Sequence, residues 1–263
     1  MEDNSTVLDH YEHHDNEDER AVNNPLEFIR TKQIIARHLT PAPLRIADLC
    51  GATGVYSYWL AGQGHEVHLF DLSPRHIEQA GHNRERHGIE LASLTCGDAR
   101  QLPYADGAFD MVLLMGALYH LQEWPDRLAC LGEVLRVLKP GGVGVFSFIS
   151  RYASLVDGFS RGFVADPEFR AILDEDLESG RHNNPSKHEH YFTTAFFHTP
   201  DLIAQELSFG GFTDIDVLAV EGFASALPVV NLDLTCQYIA QTERVPELLG
   251  ISAHLLAIAR KPE

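Results

Sequence analysis

The sequence predicts an α/β fold, a parallel sheet covered on both faces by helices. Three observations predict it. Short β-like runs alternate with helix-like ones from residue 44 to 149, the β-like runs are continuously apolar, and small or acidic residues recur just after them. Continuously apolar strands are buried on both faces, and strand–helix alternation marks parallel crossover units. With 263 residues, 44% of them hydrophobic, the chain can bury roughly three quarters of its unfolded surface and needs no disulfide or metal as a staple.

The elements follow in order. Residues 1–40 read as an N-terminal flap and an opening helix: the first 24 residues are polar, then Leu26, Ile29, Ile34, Ile35 and Leu39 recur at helical spacing until Pro41 and Pro43 close the run. A core follows over 41–150. Strands are predicted at 44–49, 66–71, 91–96, 109–115 and 143–149. Helices are predicted at 55–62, 74–87 and 125–138, the second opened by Ser73 as N-cap and the third ended by Lys139-Pro140-Gly141-Gly142. Residues 151–197, rich in charge, His and Phe, break the pattern and are expected to cap a substrate pocket, with Tyr191, Phe192, Phe196 and Phe197 either lining that pocket or forming core. Residues 198–263 complete the sheet through a helix at 200–207 and strands at 212–220 and 254–260, with a second insertion at 221–250.

Composition excludes several functions. Twenty basic against 38 acidic residues give a formal charge of −18. Such a chain is a poor partner for phosphate backbones, so no nucleic-acid partner is expected. The longest nearly apolar run, 111–121, is too short for a bilayer, and the acidic N-terminus does not resemble a secretory signal. A cytoplasmic monomer or homodimer is the expectation. Cys50, Cys96, Cys130 and Cys236 form no CxxC pair and read as reduced and mostly buried. Neither His cluster (His10, His13, His14; His182, His188, His190) has metal-ligand spacing, so no metal is expected and solvated loop histidines are the default.

In an open parallel sheet, ligands bind beyond the carboxyl ends of the strands, where the strand order reverses. After the first strand comes Asp48-Leu49-Cys50-Gly51-Ala52-Thr53-Gly54, a run of small residues that lets backbone approach a ligand. Asp71 ends the second strand, 23 residues after Asp48, where an acidic side chain can hold both hydroxyls of a ribose. Gly97-Asp98-Ala99 follows the third strand, its carboxylate suited to an exocyclic amine, and Met115-Gly116-Ala117-Leu118-Tyr119-His120 follows the fourth. Each aspartate alone is an ordinary turn residue; three in this order make the case.

Residues 48–54, Phe70-Asp71-Leu72-Ser73, Gly97-Asp98-Ala99 and Arg136-Val137-Leu138-Lys139-Pro140-Gly141-Gly142 resemble the successive motifs of class I S-adenosylmethionine-dependent methyltransferases. The resemblance implies a Rossmann-like, doubly wound, mostly parallel sheet of seven strands with the last antiparallel. It implies that Asp48, Cys50, Gly51 and Gly54 meet the methionine part of S-adenosylmethionine, Asp71 and Leu72 the ribose, and Asp98 and Ala99 the adenine, with Met115 as apolar contact. The product would be S-adenosylhomocysteine. The family turn reads Asp-x-Gly-x-Gly-x-Gly, whereas Cys50 and Ala52 hold its first two glycine positions here.

Methyl transfer to an activated sulfonium asks mainly for positioning. His120 is the candidate base, or a packed histidine beside the cofactor; Tyr119 is its neighbour in the catalytic wall. Tyr11, Arg151 and Tyr152 are further candidates for the substrate, and Arg30, ahead of Arg20, for the cofactor carboxylate. The expected activity is methyl transfer to a small molecule, at O, N or C. The alternatives are a methyltransferase acting on RNA or protein, a non-catalytic S-adenosylmethionine-binding protein, and a nicotinamide oxidoreductase, which the turn spacing disfavours.

Overall fold

A computed structural model describes residues 5–13, 23–188 and 190–263. Helix α1 (Ser5–His13) precedes α2 (Pro25–Ala36), which starts with proline at its first turn. The core then runs β1 (Arg45–Leu49), α3 (Val55–Ala61), β2 (Glu66–Asp71), α4 (Pro74–His87), β3 (Ser93–Cys96), β4 (Phe109–Leu114), α5 (Ala117–His120), α6 (Trp124–Val137) and β5 (Leu138–Ile149). Ser73 caps α4 by accepting a hydrogen bond from the His76 N–H.

Seven strands form one sheet in the order β3-β2-β1-β4-β5-β9-β8, where β8 is Thr213–Ala219 and β9 is His254–Arg260. β1 to β5 are parallel and β9 runs antiparallel to both of its neighbours. The order therefore reverses between β1 and β4, which opens a crevice at their carboxyl ends. Successive residues point to opposite faces: Met111, Leu113 and Val145 pack under Ile34, Ile35 and Leu60, while Val112, Leu114 and Phe146 pack under Leu131, Val134 and Leu207. This two-sided burial explains why the strands read as unbroken apolar runs.

One boundary differs from expectation. Lys139-Pro140-Gly141-Gly142 does not separate helix from strand; it lies inside β5 as an irregularity, since Phe109 pairs with Leu138 and Met111 with Val143. Lys139 Nζ, 2.6 Å from Asp110 Oδ1, ties the looped-out residues back to β4. The cysteines also differ, because Cys96 is exposed and Cys50 half-buried; all four are free.

The 151–197 segment folds as α7 (Ala153–Arg161), α8 (Pro167–Ser179) and a short hairpin of β6 (Arg181–His182) with β7 (Ala195–Phe196). Helix α9 (Pro200–Phe209) returns the chain to β8. The second insertion carries α10 (Leu232–Thr242) and α11 (Pro246–Leu249). Among the described residues, no helix is long and apolar enough to cross a membrane.

Candidate active site

The turn after β1 is built by its neighbours. The N–H groups of Cys50 and Gly51 both donate to the Phe70 carbonyl of β2, which bends the chain over the end of the sheet. A side chain at Gly51 would meet the Asp48 carboxyl group at 2.9 Å and Leu69 at 3.1 Å, so only glycine fits there. Cys50 and Ala52 adopt φ of 60° and 47°, in the left-handed region. This is the conformation that glycine takes freely and that costs an L-residue about 1–2 kcal/mol. Two glycine positions of the family turn are thus filled by small residues that keep the glycine backbone and carry its strain. Ala52→Gly is expected to raise stability by about 0.5 kcal/mol or more, the strain relief exceeding the added flexibility of the unfolded chain; urea melts will measure it. Burial, followed by the charge of Asp71, pushes the Cys50 thiol well above its ordinary range, so Cys50 is a neutral wall of the turn.

Asp71 organises this end of the site. Its Oδ2 accepts from the Ala52 N–H at 2.9 Å, its Oδ1 accepts from the Ser73 N–H at 2.9 Å, and the His76 ring nitrogen Nδ1 stands 3.1 Å from Oδ1. Asp98 lines the same cleft, with its carboxylate bound in a fork by the Arg100 guanidinium at 2.6 Å. Asp126, 3.2 Å from Arg100 on its other side, fixes that fork. Gly97 is required because a side chain there would meet the Phe70 ring at 2.7 Å.

Asp48 lies one layer below the cleft wall, beneath Gly51. It is fully buried, and its Oδ2 accepts from the Ser57 hydroxyl at 2.6 Å while Oδ1 has no hydrogen-bond partner among the described residues. Burial pushes its carboxyl group up to about 7, with the charge of Asp71 adding to the rise and Ser57 opposing it. A carboxyl group raised on folding favours the folded state at low pH, and that contribution is lost as pH rises through the folded value. Stability should therefore fall by about 1 kcal/mol between pH 6 and 8. Denaturant melts at the two pH values will measure it, and Asp48→Asn should flatten the slope.

The cleft encloses about 1250 Å³, counted to its open mouth. Cys50, Gly51, Ala52, Asp71, Leu72, Asp98, Ala99 and Met115 line it, as do Tyr11, Tyr119 and His120; Gly54 and Asp48 lie behind the wall. Helix α1 lies across it with Val7, Leu8 and Tyr11, fastened by Glu12, which accepts from the Ser73 hydroxyl at 2.5 Å, and by Arg75, which donates to the Glu12 carbonyl. His120 Nδ1 stands 3.5 Å from the Thr194 carbonyl, which can only accept, so Nε2 receives the Tyr11 hydroxyl at 2.7 Å.

Several expectations are corrected. Arg30 does not reach the cleft; fully buried, it pairs with Glu243 at 2.5 Å and donates to Gln33, which latches α2 to the second insertion. Arg151 donates to the Ser179 and Phe197 carbonyls and staples the first insertion. Tyr152 is partly exposed and packs beside Gly250. None of the described residues of the first insertion lines the cleft; the insertion packs behind Tyr119 and His120, where Phe192 stacks on His120 at 5.7 Å. Tyr191, Phe196 and Phe197 are buried core, and His182 bonds Asp176 at 2.9 Å. Arg20 and His14 lie outside the described residues.

The cleft also holds residues that sequence reasoning missed. Glu27, Phe28 and Thr31 enter from α2, His76 from α4, Ser147 from β5, and His254 and Leu256 from β9. Glu27, Glu221 and His254 form a group whose ligand-type atoms lie within 4.8 Å of one another. His76 had a signal, since it sits one turn past a strand-end carboxylate. Glu27 and His254 had none, because they come from opposite ends of the chain.

The sheet order, the reversed β9 and the carboxylates after β1, β2 and β3 define a class I methyltransferase fold. Comparison with known proteins agrees. Residues 46–142 match the family model described as a methyltransferase domain. The chain is 38% identical over 106 residues to a demethylmenaquinone methyltransferase of Thermus thermophilus, covering 40% of this chain and 46% of the relative. It is 32% identical over 119 residues to the chloroplastic 2-methyl-6-phytyl-1,4-hydroquinone methyltransferase 2 of Oryza sativa subsp. japonica, covering 44% of this chain and 32% of the relative. The chain thus spans less than half the length of the curated relatives it matches. The solved structure of N-methyltransferase NodS from Bradyrhizobium japonicum WM9, in complex with S-adenosyl-L-homocysteine, aligns with a TM-score of 0.60 at 17% identity, over 98% of this chain and all of that one, and shares its fold.

Proposed function

We propose that this chain transfers the methyl group of S-adenosylmethionine to a small-molecule acceptor. The observation that carries this reading is one continuous cleft at the sheet reversal. Carboxylates and a small-residue turn line it on the β1–β3 side, and Tyr11, Tyr119, His120, Glu27 and His254 line the rest. The residues present fit the donor: Asp71 offers lone pairs to a ribose diol and Asp98 an acceptor for an exocyclic amine. When bound, the donor supplies an electrophilic methyl on a sulfonium, and the chain's own residues do the rest by positioning and exclusion of water.

Helix α1 and Tyr11 close the cleft from above, which suits a metabolite rather than a polymer, and the charge of −18 weighs against nucleic acid. The demethylmenaquinone and hydroquinone methyltransferases among the relatives support a small acceptor. Tyr119 and His120 face the acceptor, and the Tyr11–His120 hydrogen bond fastens the flap over it. The test is transfer of a tritiated methyl from S-adenosylmethionine to a panel of hydroquinones, phenols and amines. Labelled product together with S-adenosylhomocysteine supports the reading; cofactor binding with no transfer to any acceptor would leave a binding protein in its place.

A further inference from the structure

Besides His76 and His120, the cleft contains a third histidine to which the reading above gives no chemical role. His254 opens β9, paired with Ile149 at the carboxyl end of β5, so it stands at the same end of the sheet as the β1 turn. Its Nδ1 lies 2.5 Å from Glu221 Oε1, and because a carboxylate only accepts, Nδ1 carries the proton. Glu221 Oε2 accepts from the His254 main-chain N–H at 2.9 Å and from the Ser252 hydroxyl at 3.1 Å. Oε1 thus sets the ring while Oε2 is held by the main chain and Ser252, which makes Glu221 an orienting group. Glu221 is held below the ordinary carboxylate range: burial opposes its ionisation, but its interaction with His254 outweighs it. Among the described residues, Glu221, from the segment after β8, and Glu27, from α2, bring carboxylate oxygens within 4.8 Å of His254.

We propose that His254, oriented by Glu221, takes the proton of the methyl acceptor, and that the acceptor presents a hydroxyl or amine N–H to this wall. His120 is fixed by Tyr11 and by a backbone carbonyl, whereas His254 has a carboxylate behind it that both sets the tautomer and stabilises the imidazolium. The acceptor's O or N lone pair forms the new bond to the methyl carbon, and the carbon–sulfur bond breaks with its pair staying on sulfur. The acceptor proton passes to His254 Nε2 and from there to water. Glu221 is a positioning residue, and the two carboxylates make this wall suited to a group that becomes cationic as it reacts. This inference rests on the methyl-transfer reading.

Calorimetry with S-adenosylmethionine and the pH dependence of kcat, measured on the full chain with the acceptor panel, separate the two. His254→Gln is expected to bind S-adenosylmethionine as the wild type does, to lower kcat by about a hundredfold or more, and to remove the acid limb of the profile. Glu221→Gln should move that limb down by about one pH unit, because the carboxylate that favours imidazolium is gone. His120→Gln should keep the limb where it is. If His254→Gln retains kcat and its acid limb, or if the limb disappears with His120→Gln, the proposal is overturned. Transfer only to acceptors without an O–H or N–H overturns it too, and leaves methyl transfer standing. Loss of S-adenosylmethionine binding in the wild type would instead remove the reading on which it rests.

Discussion

Asp71→Ala is expected to weaken S-adenosylmethionine binding by at least about a hundredfold, the largest single loss in the site. The carboxylate stands at the end of β2, buried, with its oxygens already fixed by the Ala52 and Ser73 N–H groups and by His76. Two charge-assisted hydrogen bonds to a ribose diol are worth roughly 1.5–3 kcal/mol each, and about 2.7 kcal/mol is a hundredfold. The substitution also removes the hydrogen bond that anchors the left-handed backbone of Ala52. Calorimetry on Asp71→Ala and Asp71→Asn will separate the contributions. The amide keeps an acceptor and the volume, so it should keep the fold and lose part of the affinity; alanine should lose both affinity and several degrees of Tm. Wild-type affinity in Asp71→Ala would contradict the assignment.

Arg127→Met is expected to cost about 3–5 kcal/mol, the largest effect on stability, and to lower Tm by roughly 10 °C. Arg127, on α6, is buried and donates to Glu206 of α9 at 2.7 Å and to the Leu121 and Gln122 carbonyls at 2.8 Å, and its guanidinium lies 3.9 Å from the centre of the Phe196 ring. Glu206 is fully buried, and its other neighbour is His198 at 3.2 Å. Burial holds His198 below its ordinary value despite Glu206, so a neutral imidazole cannot replace the lost cation. The group therefore joins α6, α9 and the first insertion through one charge pair. Removing one partner strands a buried carboxylate; replacing both by apolar groups does not. Arg127→Met with Glu206→Leu should recover most of the loss in urea melts, and a double variant as unstable as the single one would refute this account.

Local signals carried much of the fold. β2, α4 and β9 occupy 66–71, 74–87 and 254–260, as expected, because each meets a strong boundary: Asp71, the Ser73 cap with Pro74, and Arg260 before a charged tail. The order of Asp48, Asp71 and Asp98 placed the cleft, since strand ends in a parallel sheet converge on one edge. What could not be read depends on distant partners. Arg30 looked available on a helix until Glu243, far along the chain, claimed it. The Phe-rich insertion lies behind Tyr119 and His120, a placement made by packing against β7 and the end of β5 that leaves no local trace. Cys50 and Ala52 are the reverse case: their side chains argue against a left-handed backbone, and the hydrogen bonds from β2 impose it.

The most direct measurement is calorimetric titration of the full chain with S-adenosylmethionine and S-adenosylhomocysteine, with NADH as control. The account predicts micromolar binding of both sulfur ligands at one site, lost in Asp71→Ala, and no binding of NADH. Tight binding of NADH, or none of either sulfur ligand, would contradict it and would mean that the turn carrying Cys50 and Ala52 holds a different ligand.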